Sequence, residues 1–260
     1  MNDKPIGREN PMLEAASLSK RYEDGVLALD NVSFSVMPGQ IFAMLGGNGA
    51  GKTTTINLFL NFIEPTGGQA MINGVVTHKE PLEAKKQVAF VSENVTLYDN
   101  FTAIQNLDFF ARLGGKTEYS KDDYRDVLMR VGLEEEAHNK RLRGFSKGMR
   151  QKCGIAIAIL KDAPAILLDE PTAGLDPKAG HDFLRLLESL RDEGKAILMS
   201  THDIFRAKEV ADLVAIMNRG RIIMQRNAAE LADQNLQDLY MQYMAGHNNE
   251  HVVESGELQC

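Results

Sequence analysis

An α/β fold is predicted for this chain: a core with a parallel sheet organised on a phosphate-binding loop, an N-terminal antiparallel β subdomain, and an inserted α-helical lobe. Three observations predict it. Residues 46–53 read Gly46-Gly47-Asn48-Gly49-Ala50-Gly51-Lys52-Thr53 and fit G-x-x-x-x-G-K-[ST], with the apolar run Ile41–Leu45 before them and a helical stretch, Thr54 to Asn61, after them. Elsewhere in the core, apolar strand-like runs alternate with helical ones. Between about 94 and 160 the alternation stops and the pattern turns helical, as an inserted lobe requires.

Taken in order, residues 1–11 are polar, hold two prolines and are expected to fray. Leu13–Leu18, Val26–Leu29 and Val32–Val36 read as short strands, with turns at Asp24-Gly25 and Pro38-Gly39. The loop Glu64–Gly68 leads to a strand, Gln69–Ile72, closed by an Asn73-Gly74 hairpin turn. Lys85–Val91 ends in another strand. Phe101–Leu113 and Asp122–Gly132 carry apolar residues at helical spacing, and an acidic stretch follows at Glu134–Ala137. Ser146 is placed as the N-cap of an apolar helix reaching Leu160. Ala165 to Glu170 is a buried strand ending in two carboxylates. The tight loop Pro171–Pro177 introduces a helix with Phe183, Leu186, Leu187 and Leu190 on one face. Lys195–Ser200, Leu213–Met217 and Arg221–Met224 are the last strands. Residues 226–245 read as a short helical extension, and 246–260 as a flexible polar tail. The folded unit is therefore expected to span 12–245, with a core of 12–93 and 161–225 and a lobe of about 94–160.

Composition narrows the function classes. A formal net charge of -7 argues against nucleic acid as the partner. The longest apolar runs, Ile155–Leu160 and Ala165–Leu168, fall far short of the ~20 residues that span a bilayer. The first residues, Met1-Asn2-Asp3-Lys4-Pro5, show no apolar signal peptide, so a cytoplasmic location is expected. Cys153 and Cys260 make neither a disulfide framework nor a metal spacing and read as free thiols. His247 and His251 have helical spacing, but one pair in a polar tail does not define a metal site.

The chemistry sits in the loops after the strands. Glycines let the backbone curl around phosphate oxygens, and the helix that follows points free amides and its positive end at the same anion. Strand, glycine loop and helix together predict the core of a P-loop NTPase. Lys52 is expected to reach the β- and γ-phosphates, and Thr53 to ligate Mg²⁺. Two charges at the end of a buried strand are costly unless something cationic meets them. Asp169 suits Mg²⁺ and its water shell, and Glu170 suits orienting or deprotonating a water. His202 sits at a strand's carboxyl end, as do Asp169 and Glu170, where ligands bind in α/β sheets. Ser146 and Gly148 with basic neighbours at a helix start suit an anion, though many helices start this way. Tyr22 either stacks on a nucleotide base or is a half-buried strand residue.

Together, these motifs resemble the nucleotide-binding subunit of ABC transporters over roughly residues 12–245. Phe145-Ser146-Lys147-Gly148-Met149 matches the family's L-S-G-G-Q signature in position. Phe145, Lys147 and Met149 depart from its letters, while Ser146 and Gly148 are kept. Ala165–Glu170 resembles the second nucleotide motif, Gly174-Leu175-Asp176 the D-loop, and His202 the switch histidine. Gly47 stands where proline is common, and Glu93 where the family usually has glutamine. The resemblance implies that Tyr22 stacks on adenine, and that Gly46, Gly47, Asn48, Gly49, Ala50, Gly51, Lys52, Thr53 and Thr54 hold ATP. It implies Mg²⁺ at Thr53, Asp169 and Glu93, Glu170 and His202 as the catalytic pair, and Ser146 and Gly148 on the ATP of a second cassette. A homodimer, or a cassette heterodimer, formed on ATP binding follows, as do integral-membrane permease partners at the inner face of the membrane. The segment Glu93 to Phe110, with Tyr98 and Phe101, is the expected docking region. Ser146 to Gln151 and Glu93 lean toward export-type systems.

Three other functions compete with this one. A soluble ABC ATPase of ribosomes or DNA usually has two cassettes or long coiled coils, absent here. A P-loop kinase or GTPase would leave residues 145–149 and His202 unexplained. A regulatory cassette not coupled to transport fits the altered signature and Glu93, but not an intact Lys52, Asp169, Glu170 and His202.

Overall fold

Alternate residues of one short strand, Ile41–Leu45 (β3), feed two cores. In the computed structural model, which describes residues 10–231 and Met241, all five residues of β3 are buried. Ile41, Ala43 and Leu45 join one apolar cluster, and Phe42 and Met44 join a second. This is the period-two consequence of a strand covered on both faces.

β3 belongs to a six-stranded sheet with Val88–Val91 (β6), Ala165–Asp169 (β7), Ala196–Thr201 (β8), Leu213–Asn218 (β9) and Arg221–Asn227 (β10), in the order β10-β9-β3-β8-β7-β6. All neighbours pair in parallel except β10, which runs antiparallel along β9. A four-stranded antiparallel sheet comprises Leu13–Arg21 (β1), Leu27–Val36 (β2), Gly67–Ile72 (β4) and Val75–Val76 (β5), in the order β2-β1-β4-β5. The helix after the glycine loop, Lys52–Phe59 (α1), contributes Ile56, Leu58 and Phe59 to the cluster shared by the two sheets. Phe34 of β2 stacks on Phe42 at 4.7 Å between ring centroids and approaches Phe59 at 5.9 Å.

The strands expected separately at 26–29 and 32–36 are one. Asn31 in β2 and Ser17 in β1 take left-handed φ values of 55° and 51°, and the β1–β2 register shifts between Ala15 and Leu18 and again between Leu18 and Lys20, so the chain bulges without leaving the sheet. Ser33 Oγ accepts the Ser17 N–H and Ser19 Oγ accepts the Asn31 N–H, both at 2.9 Å, which satisfies the displaced backbone.

The lobe holds Ala103–Leu113 (α3), Lys121–Arg130 (α4), Glu135–His138 (α5) and Lys147–Lys161 (α6). Thr102 with Gln105, and Ser120 with Asp123, close capping boxes at the starts of α3 and α4. Leu107, Leu128 and Ile155 of the lobe lie in the same cluster as Ile166 and Leu168 of β7. The lobe is thus built onto the sheet's core through α6. Two short helices escaped the sequence patterns: Pro81–Lys86 (α2), opened by Pro81, and Ile204–Val210 (α8), capped by Asp203. Pro177–Asp192 (α7) is capped by Asp176. No helix among the described residues is long and apolar enough to cross a membrane. Residues 1–9, most of the expected helical extension, and the tail with His247, His251 and Cys260 lie outside the described residues.

Candidate nucleotide-binding site

The loop from β3 to α1 is shaped by close backbone packing. A Cβ on Gly46 would lie 2.6 Å from the Met217 carbonyl oxygen. One on Gly51, where φ is 108°, would lie 2.8 Å from the Ala28 carbonyl oxygen. Glycine is required at both, on steric grounds. The loop faces a cleft of about 500 Å³ walled by Val26–Ala28, Gly47–Thr54, Glu93, Asp169, Glu170 and Arg219. That volume lies within the usual range for small-molecule sites.

Parallel register brings the acidic end together. Asp169 of β7 pairs with Ser200 of β8, and Leu45 of β3 pairs with Thr201. Thr53 Oγ1 donates to Asp169 Oδ1 at 3.3 Å, and Ser200 Oγ donates to the same oxygen at 2.5 Å. Ser200 Oγ also accepts the Glu170 N–H at 2.9 Å. Glu170 has a left-handed φ of 47°, a costly backbone for a glutamate, and this hydroxyl pins it. Its two oxygens have separate partners. Oε1 lies 3.2 Å from Lys52 Nζ, and Oε2 lies 2.9 Å from His202 Nδ1. Lys52 Nζ also donates to the Gly46 carbonyl at 2.6 Å.

Of the residues singled out from the sequence, Gly47, Asn48, Gly49, Ala50, Gly51, Lys52, Thr53, Thr54, Glu93, Asp169 and Glu170 wall one cleft, and His202 touches it through Glu170. Gly46 closes the loop behind. Tyr22 does not wall the cleft. It is an exposed residue of the β1–β2 hairpin with Lys20 Nζ 5.4 Å from its ring centroid, and its N–H donates to Val26, on the limb that does wall the cleft. Ser146 and Gly148 are also absent from the cleft of their own chain. Ser146 Oγ caps α6 by accepting the Met149 N–H at 3.3 Å, and Gly148 packs near Leu175.

Sequence patterns missed Ser200, Arg219 and Gln151. Ser200 stands out in retrospect as a hydroxyl at the end of an apolar strand. Gln151 is buried in α6, and its Nε2 donates to the Pro171 carbonyl at 3.1 Å and the Ser92 carbonyl at 3.3 Å. It joins the lobe to the loops after β6 and β7, and its Oε1 is buried without a hydrogen-bond partner. No group of three or more His, Cys, Asp or Glu able to hold a metal occurs among the described residues. A divalent ion here would therefore take few protein ligands. Adjacent hydroxyl and carboxylate oxygens of Thr53 and Asp169 suit a hard ion that keeps waters and phosphate oxygens as its other ligands.

The fold and the cleft define an ATP-binding and ATP-hydrolysing cassette. The ABC transporter family profile matches residues 29–173. The chain is 36% identical to the ABC transporter ATP-binding protein NatA of Bacillus subtilis over 217 residues, which is 82% of this chain and 88% of that protein. It is 33% identical to Nod factor export ATP-binding protein I of Cupriavidus metallidurans over 225 residues, covering 86% of this chain and 74% of that protein. It resembles a solved dimeric ATP-binding cassette in a post-hydrolysis state bound to ADP and Pi, with a TM-score of 0.75, 27% identity, and coverage of 84% of this chain and 99% of that one. The chain belongs to the ABC transporter family, as an ATPase of a transport system.

Proposed function

We propose that this chain drives an export-type transporter from the cytoplasmic face of the membrane, docking on separate membrane-spanning permease subunits and pairing with a second cassette when ATP binds. One observation carries the pairing. The cleft contains the phosphate loop, Asp169 and Glu170, but not Ser146 and Gly148. A second copy, or a related cassette, placed head-to-tail would supply those groups to the γ-phosphate. The likeness to a dimeric cassette supports the same reading.

Within the site, the loop amides, Lys52 and Thr54 hold the phosphates, and Tyr22 covers the adenine. Thr53 and Asp169 hold Mg²⁺, with Glu93 at the same end of the cleft. When bound, the ion offsets charge on the β- and γ-phosphates. Glu170 polarises the attacking water, and His202 orients Glu170 and the γ-phosphate. Catalysis of this kind rests on positioning and charge stabilisation. ATP favours the closed pair, and hydrolysis removes the bridge and lets the pair open.

For docking, the lobe presents an aromatic cluster. Tyr98 lies 5.2 Å from Phe101, 4.8 Å from Phe109 and 6.1 Å from Phe110 between ring centroids. Tyr98, Phe101 and Leu113 are exposed, in keeping with a covered working surface. Export is supported by the residues at 93 and 146–151 and by the likeness to a Nod factor export protein. The permease, not this chain, selects the substrate.

The test is light scattering of Glu170→Gln at saturating magnesium and ATP. A dimer is expected, and a persistent monomer overturns the pairing. Capture from detergent extract should bring down a polytopic membrane protein with the wild type but not with Phe101→Asp. Equal recovery with both removes the docking surface.

A further inference from the structure

The two charged departures from the family pattern, Glu93 and Lys147, meet each other. Lys147 Nζ donates to Glu93 Oε1 at 3.2 Å, across 54 positions of sequence. Lys147 opens α6, and Glu93 follows β6 and walls the cleft. The lysine's stem runs beside Gly174, where a Cβ would lie 3.5 Å from its Cδ and 3.6 Å from its Nζ.

Three carboxylates face this cleft, and each has its own partners. Glu170 has Lys52 and His202, and Asp169 has the hydroxyls of Thr53 and Ser200. Glu93 has Lys147. A triphosphate brings several negative charges to the same end of the cleft, so an uncompensated carboxylate there would repel it. Lys147 is 36% exposed and Glu93 45%. Ion pairs this exposed add little to the stability of a fold. The pair's consequence is therefore the field in the cleft rather than the attachment of the lobe.

We propose that Lys147 is a positioning residue that neutralises Glu93 within the same chain, and so sets the affinity of the cleft for a nucleoside triphosphate. A carboxylate at position 93 is tolerated because a lysine stands at position 147. The proposal rests on the cleft being the ATP site.

The experiment is equilibrium binding of a fluorescent, non-hydrolysable ATP analogue to the full chain, at protein concentrations where it is monomeric, in EDTA and in magnesium. Lys147→Gln is expected to weaken binding about fivefold in EDTA, the factor that corresponds to an exposed ion-pair interaction. Lys147→Arg should retain wild-type affinity. The double variant Glu93→Gln/Lys147→Gln should return to within about twofold of wild type, and added salt should shrink the deficit of Lys147→Gln. Wild-type affinity in Lys147→Gln overturns the proposal, as does a double variant as weak as Lys147→Gln. Lys52→Ala is the separate control. If it binds as well as wild type, the ATP-site reading itself fails. If it loses binding while positions 93 and 147 show no coupling, only this inference falls.

Discussion

Lys52 Nζ lies 3.2 Å from Glu170 Oε1, with the lysine 6% exposed and the glutamate 14%. The cation expected to meet the terminal phosphates and the carboxylate expected to activate water are counter-ions of one another. Phosphate and Glu170 therefore compete for one ammonium group. Glu170→Gln is expected to bind ATP as well as wild type or tighter, while turnover falls at least ~100-fold, the scale of a lost general base. Nucleotide titration and phosphate release measure the two quantities. Turnover within tenfold of wild type would exclude Glu170 as the base.

Lys52→Ala removes the only lysine that walls the cleft among the described residues. It also leaves the largely buried Glu170 carboxylate without this partner. ATP affinity is expected to drop by ~100-fold or more, since truncating one partner of a buried charge pair with a ligand, here lysine with phosphate, costs about 2–5 kcal/mol of binding. Isothermal titration checks it, and an unchanged Kd would remove the phosphate-loop assignment.

Ser200 is fully buried and serves both acidic residues. Ser200→Ala strands the Glu170 N–H and removes a donor from Asp169. A stranded buried donor costs about 1–3 kcal/mol. Urea unfolding should show that loss, and kcat should fall about tenfold as Glu170 loses its pin. A variant as stable and active as wild type would show that the left-handed turn at Glu170 needs no support.

Gly180 lies inside α7, where glycine is about 1 kcal/mol worse than alanine. The Arg206 guanidinium accounts for it: a Cβ at Gly180 would lie 1.9 Å from Arg206 Nη1. Gly180→Ala should therefore change stability little in the wild type, because helix propensity is gained and the arginine is displaced. In an Arg206→Ala background the same change should stabilise by about 1 kcal/mol. Equal effects in both backgrounds would mean that the arginine does not select the glycine.

Two buried acids predict an alkaline limit. Burial pushes the Cys153 thiol up from 9.0 to about 12. Burial, then the hydrogen bond to Asp108, pushes the Tyr124 hydroxyl from 10.0 to about 12. Above the unfolded-state value the folded chain holds more protons than the unfolded one, so stability falls as pH rises. For these groups the loss runs from about pH 9 to 12 for Cys153 and from about pH 10 to 12 for Tyr124. Melting temperatures should decline across that window, less steeply in Tyr124→Phe. Equal slopes would show that Tyr124 is not a source of the decline. In the native state at pH 8, iodoacetamide should leave Cys153 unmodified by peptide mapping.

Local patterns carried much of this structure. Gly46–Thr53, the Asn73-Gly74 turn, the Ser146 cap and the run Ala165–Asp169 each signal through neighbours a few positions apart, and each stands where expected. The bulge at Ser17 and Asn31 was illegible because hydroxyls from other strands make it tolerable. The helices at Pro81 and behind Asp203 were too short to show a period.

The sequence by itself determined the chemistry on offer: a glycine loop with Lys52 and Thr53, and two carboxylates at the end of a buried strand. Those depend on backbone permissiveness and residue type, which are local properties. Tertiary structure decided who meets whom. It put Ser200 between Asp169 and Glu170, set Lys147 against Glu93, and kept Ser146 out of its own cleft. The physical reason is the strand order: β3, β8, β7 and β6 are neighbours in the sheet though far apart in the chain, and pairings made across a sheet leave no periodic trace in the letters.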